Sequence, residues 1–178
     1  PYERYFSDPW VDVSLDASAD LRGQVLVREV KGASPTVLLS YRGKTGEKTA
    51  DLKGEALIEI KDLKKISWIP DQDLQGTARL EAALDFRATG KKLLADMKGR
   101  IRASGWPYPA AAALAGAEID FSGHLASDPE SLSLSDIRVR SGAMEVSGDG
   151  AFDMREHAVR GEFLVRISDL AVLSVPLG

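Results

Sequence analysis

The sequence predicts an all-β fold: a long antiparallel meander curled into an open half-pipe (β-taco-like) with an apolar interior and a few short helices. Three observations predict it. Apolar and polar residues alternate with period 2 along most of the 178 residues, turn chemistry separates the alternating runs, and the gaps leave no room for helical crossovers. A parallel sheet needs a crossover of a dozen or more residues between strands.

The first run has no exception. Val11, Val13, Leu15, Ala17, Ala19 and Leu21 are apolar, and Asp12, Ser14, Asp16, Ser18, Asp20 and Arg22 between them are polar. Weaker strands are expected at Val25 to Val30, Val37 to Arg42 and Ala50 to Ile60, the last placing Ile58 and Ile60 on the dry side. Ala78, Leu80, Ala82, Leu84, Phe86 and Ala88 then oppose Thr77, Arg79, Glu81, Asp85, Arg87 and Thr89. Leu93, Ala95, Met97, Gly99, Ile101 and Ala103 continue the pattern, followed by Ala117, Ile119, Phe121, Gly123 and Leu125. Between Leu132 and Val139 the apolar parity changes after Leu134 and resumes at Ile137, which predicts a bulge near Ser135-Asp136. Two more strands carry Met144, Val146, Gly148, Gly150, Phe152 and Met154, then Val159, Gly161, Phe163, Val165 and Ile167.

Gly43-Lys44-Thr45-Gly46, Thr89-Gly90-Lys91, Ser127-Asp128-Pro129 and Ser141-Gly142 punctuate these runs as turns. Helix is confined to short pieces after Asp62, around Pro109 to Ala115 and after Asp169, where each Asp can serve as an N-cap.

Two features speak against a plain β-sandwich. Several predicted strands exceed the usual five or six residues. The dry face also carries Gly99, Gly123, Gly148, Gly150 and Gly161 with many alanines, where a sandwich core wants larger side chains. Small residues there imply tight curvature or space left for a ligand.

Composition removes other classes. With 23 Lys+Arg against 27 Asp+Glu, a net charge of -4 gives no electrostatic basis for binding nucleic acid or an anionic membrane surface. The absence of cysteine excludes disulfide scaffolds, Cys-based zinc sites and thiol nucleophiles. No apolar run approaches the length of a transmembrane helix; the most apolar stretch is Pro109 to Ala117. The chain opens Pro1-Tyr2-Glu3 without an initiator Met or a signal segment, and it reads as an excised piece of a larger protein, one repetitive β unit over residues 1 to 178.

An internal repeat supports that reading. A shift of 107 residues lays Gly54-Glu55-Ala56-Leu57-Ile58-Glu59-Ile60-Lys61-Asp62-Leu63 onto Gly161-Glu162-Phe163-Leu164-Val165-Arg166-Ile167-Ser168-Asp169-Leu170, with 7 identities over the 16 positions through Ile69 and Pro176. The grammar is a strand, an Asp-Leu that caps a short helix, then a Pro. Repeat boundaries are expected near residues 62 to 70 and 169 to 178.

Strands written as Gly-x-apolar-x-apolar and closed by Ile-x-Asp-Leu, as in Arg160 to Leu170, resemble the AsmA-like repeats of Gram-negative bacteria, and most closely those of the TamB branch. Asp73-Leu74-Gln75-Gly76 opening a long amphipathic strand, and Trp106 to Gly116 interrupting the meander, are similar to that family as well. The likeness covers roughly residues 50 to 178, and more loosely the N-terminal strands, and leaves related branches such as the YhdP type in contention. It implies a periplasmic protein anchored in the inner membrane and built as a curled sheet with an apolar lining. It further implies phospholipid movement towards the outer membrane, assembly of outer-membrane proteins and autotransporters, a TamA-type outer-membrane barrel as partner of the full-length protein, and no catalytic residues or cofactor.

The candidate groove residues are Val11, Val13, Leu15, Leu21, Ile58, Ile60, Leu80, Leu84, Phe86, Met97, Ile101, Ile119, Phe121, Leu125, Met144, Val146, Phe152, Phe163, Val165 and Ile167. Their ligand would be phospholipid, because each methylene taken from water is worth about 0.8 kcal/mol and a chain of about 14 carbons therefore on the order of 10 kcal/mol. Two other readings stand beside it: a module whose open edge accepts a β-strand from a client protein, and a structural sandwich without ligand.

Polar constellations are weak. His124 falls on the wet face and His157 in a turn; Asp71-Gln72-Asp73 and Asp149 with Asp153 lack the loop grammar of a calcium site. Gly148-Asp149-Gly150 sits within a strand with no helix to follow, and no Gly-x-Ser-x-Gly elbow exists. Asp12 and Asp16 point outward. Trp10, Trp68, Trp106 and Tyr108 fall at strand ends, where capping of the apolar interior or contact with partners would place them.

Overall fold

The computed structural model describes residues 11–19, 25–45, 51–65, 74–106, 112 and 115–168. They form ten strands: β1 Asp12–Ala19, β2 Val25–Ala33, β3 Val37–Thr45, β4 Leu52–Ile60, β5 Gln75–Arg87, β6 Lys92–Ser104, β7 Glu118–Ser127, β8 Ser131–Arg140, β9 Met144–Asp153 and β10 Ala158–Ile167. Each is antiparallel to its neighbours, and sheet order equals chain order in one open sheet, an open half-pipe meander. A 3-10 turn, Leu63–Lys65, follows β4, and the Asp62 carboxylate caps it by accepting the Lys64 N–H at 3.0 Å. The expected helix after Asp169, the greater part of that around Pro109 to Ala115, and both repeat boundaries beyond Lys65 lie outside the described residues.

Alternation survives pairing. Val13, Gly32, Leu39, Ile58, Leu80, Gly99, Phe121, Val139, Val146 and Val165 are successive Cα partners, one unbroken transverse row through all ten strands on one face. Ala17, Val27, Gly43, Gly54, Leu84, Ala95, Leu125, Leu134, Gly150 and Gly161 make a second. Holding these rows needs two bulges. In β8 the ladder skips from Leu134 to Ile137 against Gly150 and Gly148, where Ser135-Asp136 was expected to break it. Asp136 sits at φ 50, and its N–H donates to the Asp149 carboxylate at 2.8 Å. In β2 the same skip falls between Val27 and Val30, returning Val30 to the face of Val27.

These bulges are copies. The β2–β3 and β3–β4 registers recur whole in β8–β9 and β9–β10 after the 107-residue shift: Val30 opposite Tyr41 becomes Ile137 opposite Gly148, and Ile58 opposite Leu39 becomes Val165 opposite Val146. The turns repeat too. Ser34 N–H donates to Val37 O at 2.8 Å and Ser141 N–H to Met144 O at 2.8 Å, while each serine Oγ accepts the returning N–H, from Val37 at 3.0 Å and Met144 at 3.3 Å. The repeat seen in one segment of sequence therefore extends through three strands.

One expected turn is strand instead. Gly43 to Thr45 continue β3, because Gly43 faces Gly54 across β4 and the backbones approach so closely that a Cβ on Gly54 would lie 2.6 Å from Gly43 Cα. Gly46 lies outside the described residues.

Among the described residues no core lies over the sheet. A compact protein of this mass exposes roughly 8400 Å²; this chain exposes 12541 Å². Among the described residues the buried apolar side chains are Leu63, Ala95, Ala103, Ala115 and Ala143, and Leu63 alone among them is large.

At several of the inward glycines an aromatic ring of the same face occupies the place a side chain would take, whereas Gly123 has only Ile137 and Ser135 beside it at 3.4 Å. A Cβ on Gly99 would stand 2.6 Å from Phe121 Cε1, one on Gly148 2.8 Å from Phe163 Cδ1, one on Gly161 2.9 Å from Phe163 Cε2, and one on Gly43 2.7 Å from Tyr41 Cζ. The two repeats fill this site from opposite strands, Tyr41 opposite Ala56 in the first and Phe163 opposite Gly148 in the second. Gly99→Val should therefore destabilise the chain by about 1–3 kcal/mol through overpacking. Adding Phe121→Leu should recover part of the loss. Urea unfolding measures both, and an unchanged midpoint for Gly99→Val would place the ring elsewhere.

Candidate functional site: an uncovered apolar face

Strand parity and register bring the predicted groove residues onto one surface. Ile58 and Ile60 of β4, Leu80, Leu84 and Phe86 of β5, Met97 and Ile101 of β6, Ile119, Phe121 and Leu125 of β7, and Met144, Val146 and Phe152 of β9 share the face. Most are half-buried by neighbours on the same face rather than by a second layer. Towards the edges the face opens: Val11, Val13 and Leu15 are 64%, 75% and 67% exposed on one side, Phe163 and Val165 56% and 53% on the other, with Ile167 half-buried. Leu21 lies outside the described residues.

Further residues belong to this surface: Val30, Leu39, Tyr41, Leu52, Leu93, Leu132, Leu134, Ile137, Val139 and Val159. Leu52, Phe86, Leu93, Ser127, Leu132, Phe152 and Val159 form a row along one rim. Val30 was hidden because its parity depends on the β2 bulge, although Val25-Leu26-Val27-Arg28-Glu29-Val30 carries the same skip as β8. Tyr41 puts a phenol on the dry face; its hydroxyl is buried without a hydrogen-bond partner among the described residues, and burial pushes its pKa up.

The opposite face is a lattice of cross-strand charges. Glu81 accepts from Arg79 at 2.8 Å and Lys98 at 2.9 Å, Arg79 also reaches Glu59 at 3.8 Å, Arg100 holds Asp120 at 2.6 Å, and Arg102 holds Glu118 at 2.7 Å. These pairs are solvated, so each adds little stability. Together they keep the face wet. The hydrogen bond from Lys98, then that from Arg79, holds the Glu81 carboxyl below its ordinary range, and Asp120 raises Arg100. A hollow of about 1110 Å³ lies on this charged face. Short side chains such as Ser40, Ala83 and Ser122 floor it, and Arg79, Lys98 and Arg138 wall it.

The remaining polar candidates have structural work. His124 stands on the charged face with Nδ1 2.5 Å from Asp96 and Nε2 4.0 Å from Asp136, and His157 closes the β9–β10 turn at φ 51. Asp149 caps the bulge, and Asp153 accepts the Arg155 and Glu156 N–H groups in the turn. Asp12 and Asp16 are exposed on the edge strand, Asp16 lying 3.9 Å from Arg28. Trp106 donates its indole N–H to Gly116 O at 2.9 Å and so closes the β6–β7 connection. Trp10, Trp68, Tyr108 and Asp71 to Asp73 lie outside the described residues. Among the described residues no group of three His, Asp or Glu side chains is placed to hold a metal ion, and no helix is long and apolar enough to cross a membrane.

No protein-family description matches the sequence, and no curated protein or solved structure is significantly similar to it.

Because the Glu81 pKa is lowered on folding, its contribution is complete above the ordinary carboxylate pKa and is lost as pH falls through the lowered value. Glu81→Gln should flatten the stability-versus-pH curve in that acid window. Urea midpoints across a pH series check this; an acid limb identical in slope to that of the parent chain would remove Glu81 from it.

Proposed function

We propose that this chain is a periplasmic segment of a bridge-like inter-membrane protein of the AsmA-like, TamB type, whose apolar face shields phospholipid acyl chains from water and assists outer-membrane protein and autotransporter assembly. One observation supports the reading: an apolar face runs unbroken across ten strands, and among the described residues no second layer lies over it. A sheet face of this kind must be covered, because contiguous exposed apolar surface beyond a few hundred Å² marks a site of interaction. Nine inter-strand steps make the sheet about 43 Å wide, and strands of 10 to 13 residues stand roughly 34–44 Å tall. Acyl chains suit such a surface: it offers rows of aliphatic and aromatic groups and, on the same side, few polar atoms that a hydrocarbon would leave unsatisfied.

The charged opposite face gives the solubility that a periplasmic location requires. The 107-residue structural repeat supplies a way to lengthen the surface without changing its section, as a path between two membranes needs. In this reading the full-length protein is anchored in the inner membrane, meets a TamA-type barrel at the outer membrane, uses no cofactor and has no catalytic residue.

Phospholipid should co-purify with the chain from a Gram-negative host, as read by native mass spectrometry with lipid extraction. Leu84→Asp and Phe86→Asp should abolish it while circular dichroism shows intact sheet, whereas Arg87→Glu on the wet face should retain it. In cells the two Asp variants should block transport at unchanged abundance. A lipid-free chain that pairs face to face with a second copy would overturn the reading, as would unfolding by both Asp variants with no lipid bound to the parent chain.

A further inference from the structure

The charged lattice leaves a gap on β7. Asp120 and Ser122 are neighbouring residues of that strand's wet face. Asp120 has Arg100 of β6 and Arg140 of β8 as its Cα partners, an acid between two bases. Ser122 has Lys98 and Arg138 as partners in the same two strands, and there no acid stands between the bases. A hollow of about 470 Å³ lies over this place, lined by the cations Arg79, Lys98, Arg100, Arg138 and Arg140 against only Glu81 and Asp120. Both acids are engaged, Glu81 by Arg79 and Lys98, and Asp120 by Arg100. Arg140 turns to Glu145 at 3.0 Å, while Asp96 and Asp136, nearby on the same face, stand beside His124. Among the described residues Arg138 has no carboxylate partner, and the Ser122 hydroxyl makes no hydrogen bond. We infer that Lys98, Ser122 and Arg138 form a binding site for a phosphate monoester, which supplies over Ser122 the negative charge that the Asp120 carboxylate supplies one row away.

The donor set selects this anion. Three donors stand on three adjacent strands, spread over about 10 Å of sheet, and the long side chains of Lys98 and Arg138 can reach inward over the short Ser122. A phosphate monoester keeps three terminal oxygens and nearly two negative charges at neutral pH. The ammonium, the hydroxyl and the guanidinium each then find an acceptor. A phosphodiester keeps two terminal oxygens, and a carboxylate has two in one plane that the Arg138 fork alone would satisfy. Glu81 already shares the Lys98 charge, so Arg138 is the cation whose charge the ligand answers. The site lies on the face opposite the apolar surface, and it stands or falls independently of what covers that surface.

Isothermal titration calorimetry at constant ionic strength tests the site, with methyl phosphate as the monoester and dimethyl phosphate as the diester. The parent chain should bind methyl phosphate, and dimethyl phosphate several-fold more weakly. Arg138→Gln should weaken methyl phosphate binding on the order of tenfold, through loss of a charge-assisted fork. Arg28→Gln, which removes the same charge beside Asp16 on β2, should leave it unchanged. Ser122→Asp puts a carboxylate into the gap and should abolish binding. All these positions are exposed, so the sheet should persist, as circular dichroism checks. Should Ser122→Asp fail to fold, Arg138→Gln against Arg28→Gln reads the same site. No binding of methyl phosphate by the parent chain, equal binding of the diester, equal losses in Arg138→Gln and Arg28→Gln, or undiminished binding by a folded Ser122→Asp chain would each overturn the proposal.

Discussion

The described residues depend throughout on a single sheet that keeps one face dry with no layer among them packed upon it. In a two-layer protein a misregistered strand is penalised by the opposite layer. Among the described residues here the enforcement comes from neighbours on the same face, so register must be held strand by strand. Two bulges show the constraint at work. Without the extra residues at Arg28-Glu29 and Ser135-Asp136, Val30, Ile137 and Val139 would turn to the charged side, and the transverse rows would end at β2 and β8. The positive φ of Asp136, fixed by its N–H bond to Asp149, is the local cost of keeping them.

The division between faces was legible in the sequence because side-chain period in a strand is fixed at 2 and needs no tertiary information. Strand positions, the β8 bulge and the membership of Leu80, Leu84, Phe86, Phe121 and Val146 on one face all followed from it. What lies between strands was less legible. Gly43-Lys44-Thr45 has the composition of a turn, yet it stays in β3 because Gly54 faces Gly43, and that pairing is non-local. The inward glycines were ambiguous for the same reason. Gly99 reads as empty space until the register sets Phe121 across from it.

Aromatic and glycine positions form a complementary code once register is known. Tyr41 with Ala56 and Phe163 with Gly148 deliver a ring to the same place from opposite strands, so the repeat keeps the filled volume while exchanging which strand supplies it. Such exchange hides the repeat from residue-by-residue comparison and keeps it in the fold. The Ser34 and Ser141 turns and the paired bulges, all at one offset, are the features that survive.

The two faces thus do different chemistry in this chain. The charged lattice commits one face to water through many weak pairs, none of which is individually strong enough to lock the sheet. The dry face is filled by its own rings and aliphatic rows, each side chain half-buried by its neighbours in the sheet. Across the strands, the 107-residue shift returns the same registers, turns and bulges, so the section of the sheet is repeated rather than varied. A sheet organised this way can extend strand by strand while its dry face keeps a constant character.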